Sequence, residues 1–366
     1  MRAMKQIAVA SLVVAPMAVM AARASLRAQA PAAPAPATQG GPAIEPLHFH
    51  HVHLNSMDPK AAAEYYPKPF AKSATKTTFN GFEAVKTGNI YILFSKVNTP
   101  PTNELTGPQT SVWHFGWNTP NSREYNANFR RMGLTIAQMW NGSDAEAKLV
   151  DLSGDVPQAQ TGGFATQEQV LANRAAGITS TDPTKVTGGF GYLRGPDGVM
   201  IENAQSGNAE RFNHVHMYHE HPECAMQWYV QHLGADRPAG RGGAAAPPVG
   251  PVPGTSGDCG RNPRTVYSPP TFPSFAKGGF VRDPAGGVRI DDISVSIRPW
   301  PGGGLASTRG RVYDHWAVST ADLDKTVARL KSENVKFLEE IHPWGNSRAA
   351  MIEGPDRIAI EIVEVK

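Results

Sequence analysis

The chain predicts an α+β fold made of four rounds, each with one strand, one helix and several short strands. Three observations predict it. Six short apolar stretches, FHHVHL, VWHFGW, VMIENA, FNHVHM, YDHWAV and IAIEIV, each read as a strand that carries one metal-competent side chain. A helix start follows the strands that open a round. The pattern also returns at a nearly constant offset, His51 and His214 standing 163 residues apart and Glu202 and Glu361 standing 159 apart. Such self-similarity marks a tandem duplication.

The first round opens on the FHHVHL strand, after which Asp58-Pro59 sets a capping acid before a proline suited to the first helical turn. GFEAV and NIYILFSKV supply its later strands, and Pro100-Pro101 ends it. The second opens on SVWHFGWNT and places a helix near Asn121 to Met132 and a strand near Leu134 to Trp140. An insertion runs from Asn141 to Gly188; GGFGYLRG and GVMIENAQ follow, joined by a turn at Pro196-Asp197-Gly198. The third round opens on RFNHVHMYH, with His221-Pro222 starting a helix over about Glu223 to Leu233. A Gly/Pro-rich loop over residues 235–275 interrupts it and reads as a lid or a disordered tip. The fourth opens on VYDHWAV, with Thr320 capping DLDKTVARLKSENV, then VKFLEE, AAMIE and IAIEIVEV about a turn at Pro355-Asp356-Arg357.

Side chains alternate across a strand. His51 therefore shares a face with Phe49 and His53, while His50, Val52 and Leu54 point the other way; His214 repeats this with His216. Each half of the chain offers two imidazoles and a carboxylate: His51, His114 and Glu202, then His214, His315 and Glu361. Two histidines and one carboxylate leave coordination positions open on Fe2+, Zn2+, Mn2+ or Ni2+, as catalytic metal sites do. His53 and His216 stand as acid/base or supporting groups. His48 belongs to the leader's edge, and His219, His221 and His232 read as surface residues. Trp113, Trp117, Trp316 and Trp344 flank the histidine strands as pocket lining or ordinary core.

Composition narrows the function. Residues 1–30 carry Arg2 and Lys5, an apolar run from Ile7 to Ala22 and the small-residue pattern Ala28-Gln29-Ala30, which reads as a cleaved secretory signal. Removing it takes four basic residues and no acid, so the net charge of +3 becomes −1. A near-neutral chain with no basic run argues against nucleic acid and, after signal cleavage, against a membrane as the partner; a small-molecule substrate fits better. Residues 31–46 form an Ala/Pro-rich leader. An oxidising compartment would let the two cysteines, Cys224 and Cys259, form a disulfide. The expected location is periplasmic or secreted.

HHVHL, WHFGW and GPDGVMIE, then NHVHM, DHWAV and GPDRIAIE, resemble the vicinal oxygen chelate superfamily, which includes glyoxalase I, fosfomycin-resistance proteins and type I extradiol dioxygenases. The resemblance covers roughly Leu47 to Lys366 and implies tandem βαβββ modules forming two half-open barrels, in domains at 47–206 and 211–366. It also implies one metal centre per domain, grouped by halves as above. Tyr192 and His342 stand near the positions of the dioxygenases' tyrosine and histidine, as candidates for proton transfer. No glutamate occupies NIYILFSK or DDISVSIRP, where glyoxalase I carries a further ligand. The implied function is glyoxalase-like isomerase, lyase or hydrolase chemistry on an oxygen-bearing substrate chelated to the metal. The alternatives are Fe(II) ring cleavage and non-catalytic binding of a small ligand. A monomer suffices if each domain is complete, and a homodimer is the other expectation.

Overall fold

The computed structural model describes residues 45–137, 139–141, 148–150, 166–178, 190–238, 286–300 and 304–365. The expected signal, nearly all of the expected leader, Cys259 and most of the Gly/Pro-rich loop lie outside them. No helix among the described residues is long and apolar enough to cross a membrane.

The first round gives β1 (His48–Ser56), α1 (Pro59–Tyr65), β2 (Ala74–Phe79), β3 (Phe82–Thr87) and β4 (Ile90–Lys96). The second gives β5 (Val112–Thr119), α2 (Ser122–Arg131), β6 (Met139–Asn141), β7 (Lys148–Val150), α3 (Gln167–Ala175), β8 (Phe190–Arg194) and β9 (Met200–Gln205). The third gives β10 (Arg211–His219), α4 (Pro222–Leu233), β11 (Gly286–Ile290) and β12 (Ile293–Pro299). The fourth gives β13 (Tyr313–Thr320), α5 (Leu323–Ser332), β14 (Lys336–Trp344), β15 (Ser347–Glu353) and β16 (Ala359–Glu364). All six histidine- or glutamate-bearing stretches are strands, as predicted.

Local chemistry explains the helix starts. Asp58 accepts from Ala61 N at 3.0 Å and Pro59 opens α1, so one capping acid and one preset φ fix the turn. The helix α5 is capped by Asp322, which accepts from Lys325 N at 2.9 Å, and not by Thr320, whose hydroxyl pairs with Thr326 at 2.9 Å. Inside the insertion, α3 opens on a capping box between Thr166 and Gln169.

Strand order overturns the division by halves. One large sheet runs β14-β15-β16-β13-β1-β4-β3-β2 and the other large one β11-β12-β10-β5-β9-β8, with β6 and β7 pairing apart from both. The first round thus pairs with the fourth, and the second with the third; a boundary at residues 206–211 separates neither sheet. The joints match: β1 runs antiparallel to β13 and parallel to β4, while β10 runs antiparallel to β5 and parallel to β12. Both sheets remain open, with free edges rather than closed barrels. Their apolar faces meet in one core holding Val52, Leu54, Phe115, Trp117, Phe212, Val215, Trp316 and Ile360. Phe49 stacks on Trp316 there at 5.6 Å and 6°.

The two Gly-Pro-Asp turns tie the sheets together. Asp197 and Asp356 both take the left-handed conformation, at φ 57° and 55°, which aspartate tolerates better than most residues. Asp197 accepts from Ser56 Oγ at 2.6 Å and Met57 N at 3.1 Å, past the end of β1 in the other sheet. Asp356 does the same for β10, accepting from His219 Nδ1 at 2.6 Å and Glu220 N at 3.2 Å. This corrects the surface reading of His219, which is fully buried with its Nε2 3.1 Å from Tyr229 Oη. His232 is fully buried too, its Nδ1 2.7 Å from Glu333 Oε2.

Candidate metal centres

The pairing of rounds regroups the six predicted ligands. Neither His51, His114 and Glu202 nor His214, His315 and Glu361 form a cluster. Instead β1, β13 and β16 bring together His51, His315 and Glu361, while β10, β5 and β9 bring together His214, His114 and Glu202. The register shows why. Ala317 of β13 lies opposite His51 and beside Glu361, and Gly116 of β5 lies opposite His214 and beside Glu202. The first-strand histidine and the glutamate flank that small residue at one level, and His315 or His114, two residues along the middle strand and opposite His53 or His216, completes the group.

In the first centre Glu361 Oε2 lies 3.3 Å from His51 Nε2 and 3.7 Å from His315 Nε2. His51, His53 and His315 each bring one nitrogen within 4.8 Å of the others. Behind His315, its Nδ1 stands 2.6 Å from Asp314 Oδ1, and Arg309 braces Asp314 and reaches Glu339 at 2.7 Å. Burial pulls the His315 imidazole down, but Asp314 and Glu361 outweigh it and lift its pKa to about 9. Glu361 sits well below the usual carboxylate range: burial opposes ionisation, and the facing imidazoles of His315 and His51 overcome it. His51 and His53 are lowered, chiefly by burial.

In the second centre Glu202 Oε2 lies 2.7 Å from His114 Nε2, 3.1 Å from His214 Nε2 and 3.7 Å from His216 Nδ1. Burial pushes the Glu202 carboxyl up, yet hydrogen bonds from His114 and His214 hold it well below its ordinary value. Burial lowers His114 and His216. No carboxylate backs His114; its Nδ1 has no hydrogen-bond partner among the described residues. A Cβ on Gly116 would fall 2.6 Å from His214 Nε2 and 2.7 Å from Glu202 O. Only glycine lets the second centre close this tightly, whereas the first carries Ala317 at the matching place.

The donor sets fit a metal. Donor atoms bound to one ion at about 2.0–2.1 Å stand roughly 2.9–3.4 Å apart, and the first centre's 3.3 and 3.7 Å and the second's 2.7 and 3.1 Å bracket that span. His51 Nε2, His315 Nε2 and Glu361 Oε2 are buried with no hydrogen-bond partner among the described residues. Buried polar atoms left so cost stability, and three converging on one point are what an ion would satisfy. Where glyoxalase I carries a further glutamate, β4 offers Ser95, 2.7 Å from His53 Nε2, and β12 offers Ser294 and Ser296 opposite His214 and His216.

The remaining candidates divide. His53 and His216 face the centres, their rings 4.5 Å from those of His315 and His114. Tyr192 lies opposite Glu202 across β8 and β9, its ring 5.1 Å from His114, and burial raises its phenol well above the ordinary value. His342 does not join the first centre; on β14 its Nδ1 is 2.9 Å from Glu340 O and its Nε2 3.8 Å from Glu339. Trp344 stacks on His51 at 5.7 Å and Trp113 packs on His114 at 4.4 Å, whereas Trp117 and Trp316 belong to the core. Asp314 and Arg309 were missed, although an acid directly before a ligand histidine was a visible signal. A cleft of about 1000 Å³ lies beside the first centre, lined by Phe79, Tyr91, Trp344 and His50 among others.

Cys224 is buried on α4 and disulfide-bonded.

Two open sheets, each with a buried two-histidine, one-carboxylate group on one face, define a paired-module α+β protein with two candidate metal sites. Residues 211–362 match the Glyoxalase/Bleomycin resistance protein/Dioxygenase superfamily. Glyoxalase I from Zea mays is similar in fold at a TM-score of 0.51 and 14% identity, over 87% of this chain and 92% of that one. A putative dioxygenase from Bacillus subtilis subsp. subtilis str. 168 gives a TM-score of 0.46 and 10% identity, over 87% and 86% of the two chains. At 14% identity the likeness to the Zea mays protein is one of fold. No curated protein matches the sequence.

Proposed function

We propose that the protein is a divalent-metal enzyme of glyoxalase-like type, acting as an isomerase, lyase or hydrolase on a small oxygen-bearing substrate. The observation that carries this reading is the set of unpartnered buried donors His51 Nε2, His315 Nε2 and Glu361 Oε2. His51, His315 and Glu361 would hold one ion, and His214, His114 and Glu202 another. A bound metal supplies Lewis acidity that polarises substrate oxygens. The chain supplies the rest. Asp314 fixes the His315 ring through Nδ1, Ser95 fixes His53, and the aromatic walls of Trp344 and Trp113 limit water at each centre. His53 and His216, on the ligand face and held neutral by burial, are the bases within reach of a substrate proton.

Tyr192 favours a second reading for the second centre alone. A phenol beside a two-histidine, one-carboxylate set suits Fe(II) ring cleavage. The signal-like start and the disulfide-bonded Cys224 support a periplasmic or secreted location. Both centres being completed within one chain supports a working monomer.

Elemental analysis of the mature protein, purified without chelator or histidine tag, tests the reading. Zinc, nickel or manganese at up to two ions per chain agrees with it; iron together with catechol-dependent oxygen uptake moves the second centre to the dioxygenase reading. No ion after reconstitution overturns both in favour of a non-catalytic binding protein.

A further inference from the structure

His50 and Asn213 occupy the same unusual place in the two sheets. Along β1 the partners on β13 advance from Phe49↔Val318 to His51↔Ala317, so His50 is an extra residue with no opposite number. Along β10 the partners on β5 advance from Phe212↔Trp117 to His214↔Gly116, leaving Asn213 extra. Two residues facing one is a β-bulge, which re-aims side chains beside functional sites. Strict alternation would have sent His50 away from His51. The bulge instead brings the His50 Nδ1 to 2.8 Å from His51 Nδ1 and the Asn213 Oδ1 to 3.3 Å from His214 Nδ1. In both sheets the other ring nitrogen, Nε2, faces the carboxylate, at 3.3 Å from Glu361 and 3.1 Å from Glu202.

An imidazole that gives one nitrogen to a metal carries its proton on the other, and an acceptor placed there fixes both tautomer and ring orientation. Asn213 offers its amide oxygen, and His50 offers an unprotonated Nδ1. We propose that His50 and Asn213 are positioning residues, each set by its bulge to accept the Nδ1–H of the neighbouring histidine and so keep Nε2 of His51 and His214 aimed at the ion. The duplicated bulge then preserves a function rather than a side chain, since a histidine and an asparagine do the same work. His50 also lines the 1000 Å³ cleft, so the first centre's support stands at that cleft's wall.

The proposal rests on the metal reading, and the test separates the two. Zinc titration calorimetry on the chelator-treated mature chain would compare the wild type with His50→Leu, His50→Asn, Asn213→Leu and Glu361→Ala, each checked for an unchanged apo melting profile. His50→Leu is expected to weaken one of two sites by about 10- to 100-fold and leave the other alone. His50→Asn, which carries the group already used at Asn213, is expected to stay within a few-fold of wild type. Asn213→Leu should weaken the opposite site. Wild-type affinity at both sites in His50→Leu, with one site lost in Glu361→Ala, would overturn the positioning role and leave the metal reading standing. No zinc binding in the wild type would overturn both. Equal weakening in His50→Leu and His50→Asn would overturn the hydrogen-bonding role in favour of simple packing.

Discussion

Glu361 Oε2 lies 3.3 Å from His51 Nε2, although one comes from the last strand and the other from the first. The first centre is thus closed by the two ends of the folded chain, and the second by its middle. Opposite halves depend on one another at both centres, while the Gly-Pro-Asp clamps at Asp197 and Asp356 join the two sheets within each half.

The centres differ most behind His315 and His114. Asp314 lies 2.6 Å from His315 Nδ1, while Trp113 precedes His114. Asp314→Asn is expected to lower metal affinity of the first centre by about 10- to 100-fold and leave the second within two-fold. Site-resolved calorimetry checks this; equal loss at both centres would contradict it. Because Asp314 also accepts from Gly310 N at 2.7 Å and Asn55 Nδ2 at 3.1 Å, some loss of melting temperature should accompany the substitution.

Gly116 sets the second centre's closeness. Gly116→Ala forces a methyl to 2.6 Å from His214 Nε2, and overpacking of that kind costs about 1–3 kcal/mol. The expected outcome is a lowered melting temperature and at least ten-fold weaker binding at the second centre only. Ala317→Gly at the matching position creates no clash and should cost about 1 kcal/mol or less. Denaturant unfolding of both variants measures the difference, and equal costs would show that glycine has no special role.

Stability of the metal-free protein should peak near neutrality. His51, His53, His114 and His216 have lowered pKa values in the fold, so the unfolded chain binds their protons first and stability falls as pH drops through about 6.5. Glu202, Glu361 and Asp314 are also lowered, and add a further loss below about 4.5. His315, raised to about 9, acts the other way: its contribution is complete below 6.5 and disappears as pH rises to 9. Melting temperatures in chelator between pH 5 and 9.5 should fall on both sides, more steeply on the acid side. Greater stability at pH 5 than at pH 7 would contradict the buried neutral histidines.

Much of this was legible in the sequence. The six histidine- or glutamate-bearing strands, the four rounds and the capped start of α1 followed from alternation, helix signals and repetition, all local properties. Which rounds share a sheet was not legible. The rounds are alike, so pairing by halves and the observed pairing satisfy the same patterns, and contacts between strands far apart in sequence decide between them. The same limit hid His219 and His232, whose partners Asp356 and Glu333 come from distant segments. His50 and Phe49 were misassigned for another reason. A bulge adds one residue and reverses the alternation, which placed Phe49 in the core on Trp316 and His50 beside His51. Tyr192 lies at its centre and His342 does not, because β8 adjoins β9, which carries Glu202, whereas β15 stands between β14 and the Glu361 strand β16.

The central claim is the grouping of ligands across the chain's halves, and metal stoichiometry in paired variants tests it most directly. His51→Ala combined with Glu361→Ala should remove one ion per chain and leave the other. His51→Ala combined with Glu202→Ala should remove both. One ion retained in the second pair and none in the first would return the ligands to separate halves and contradict the account.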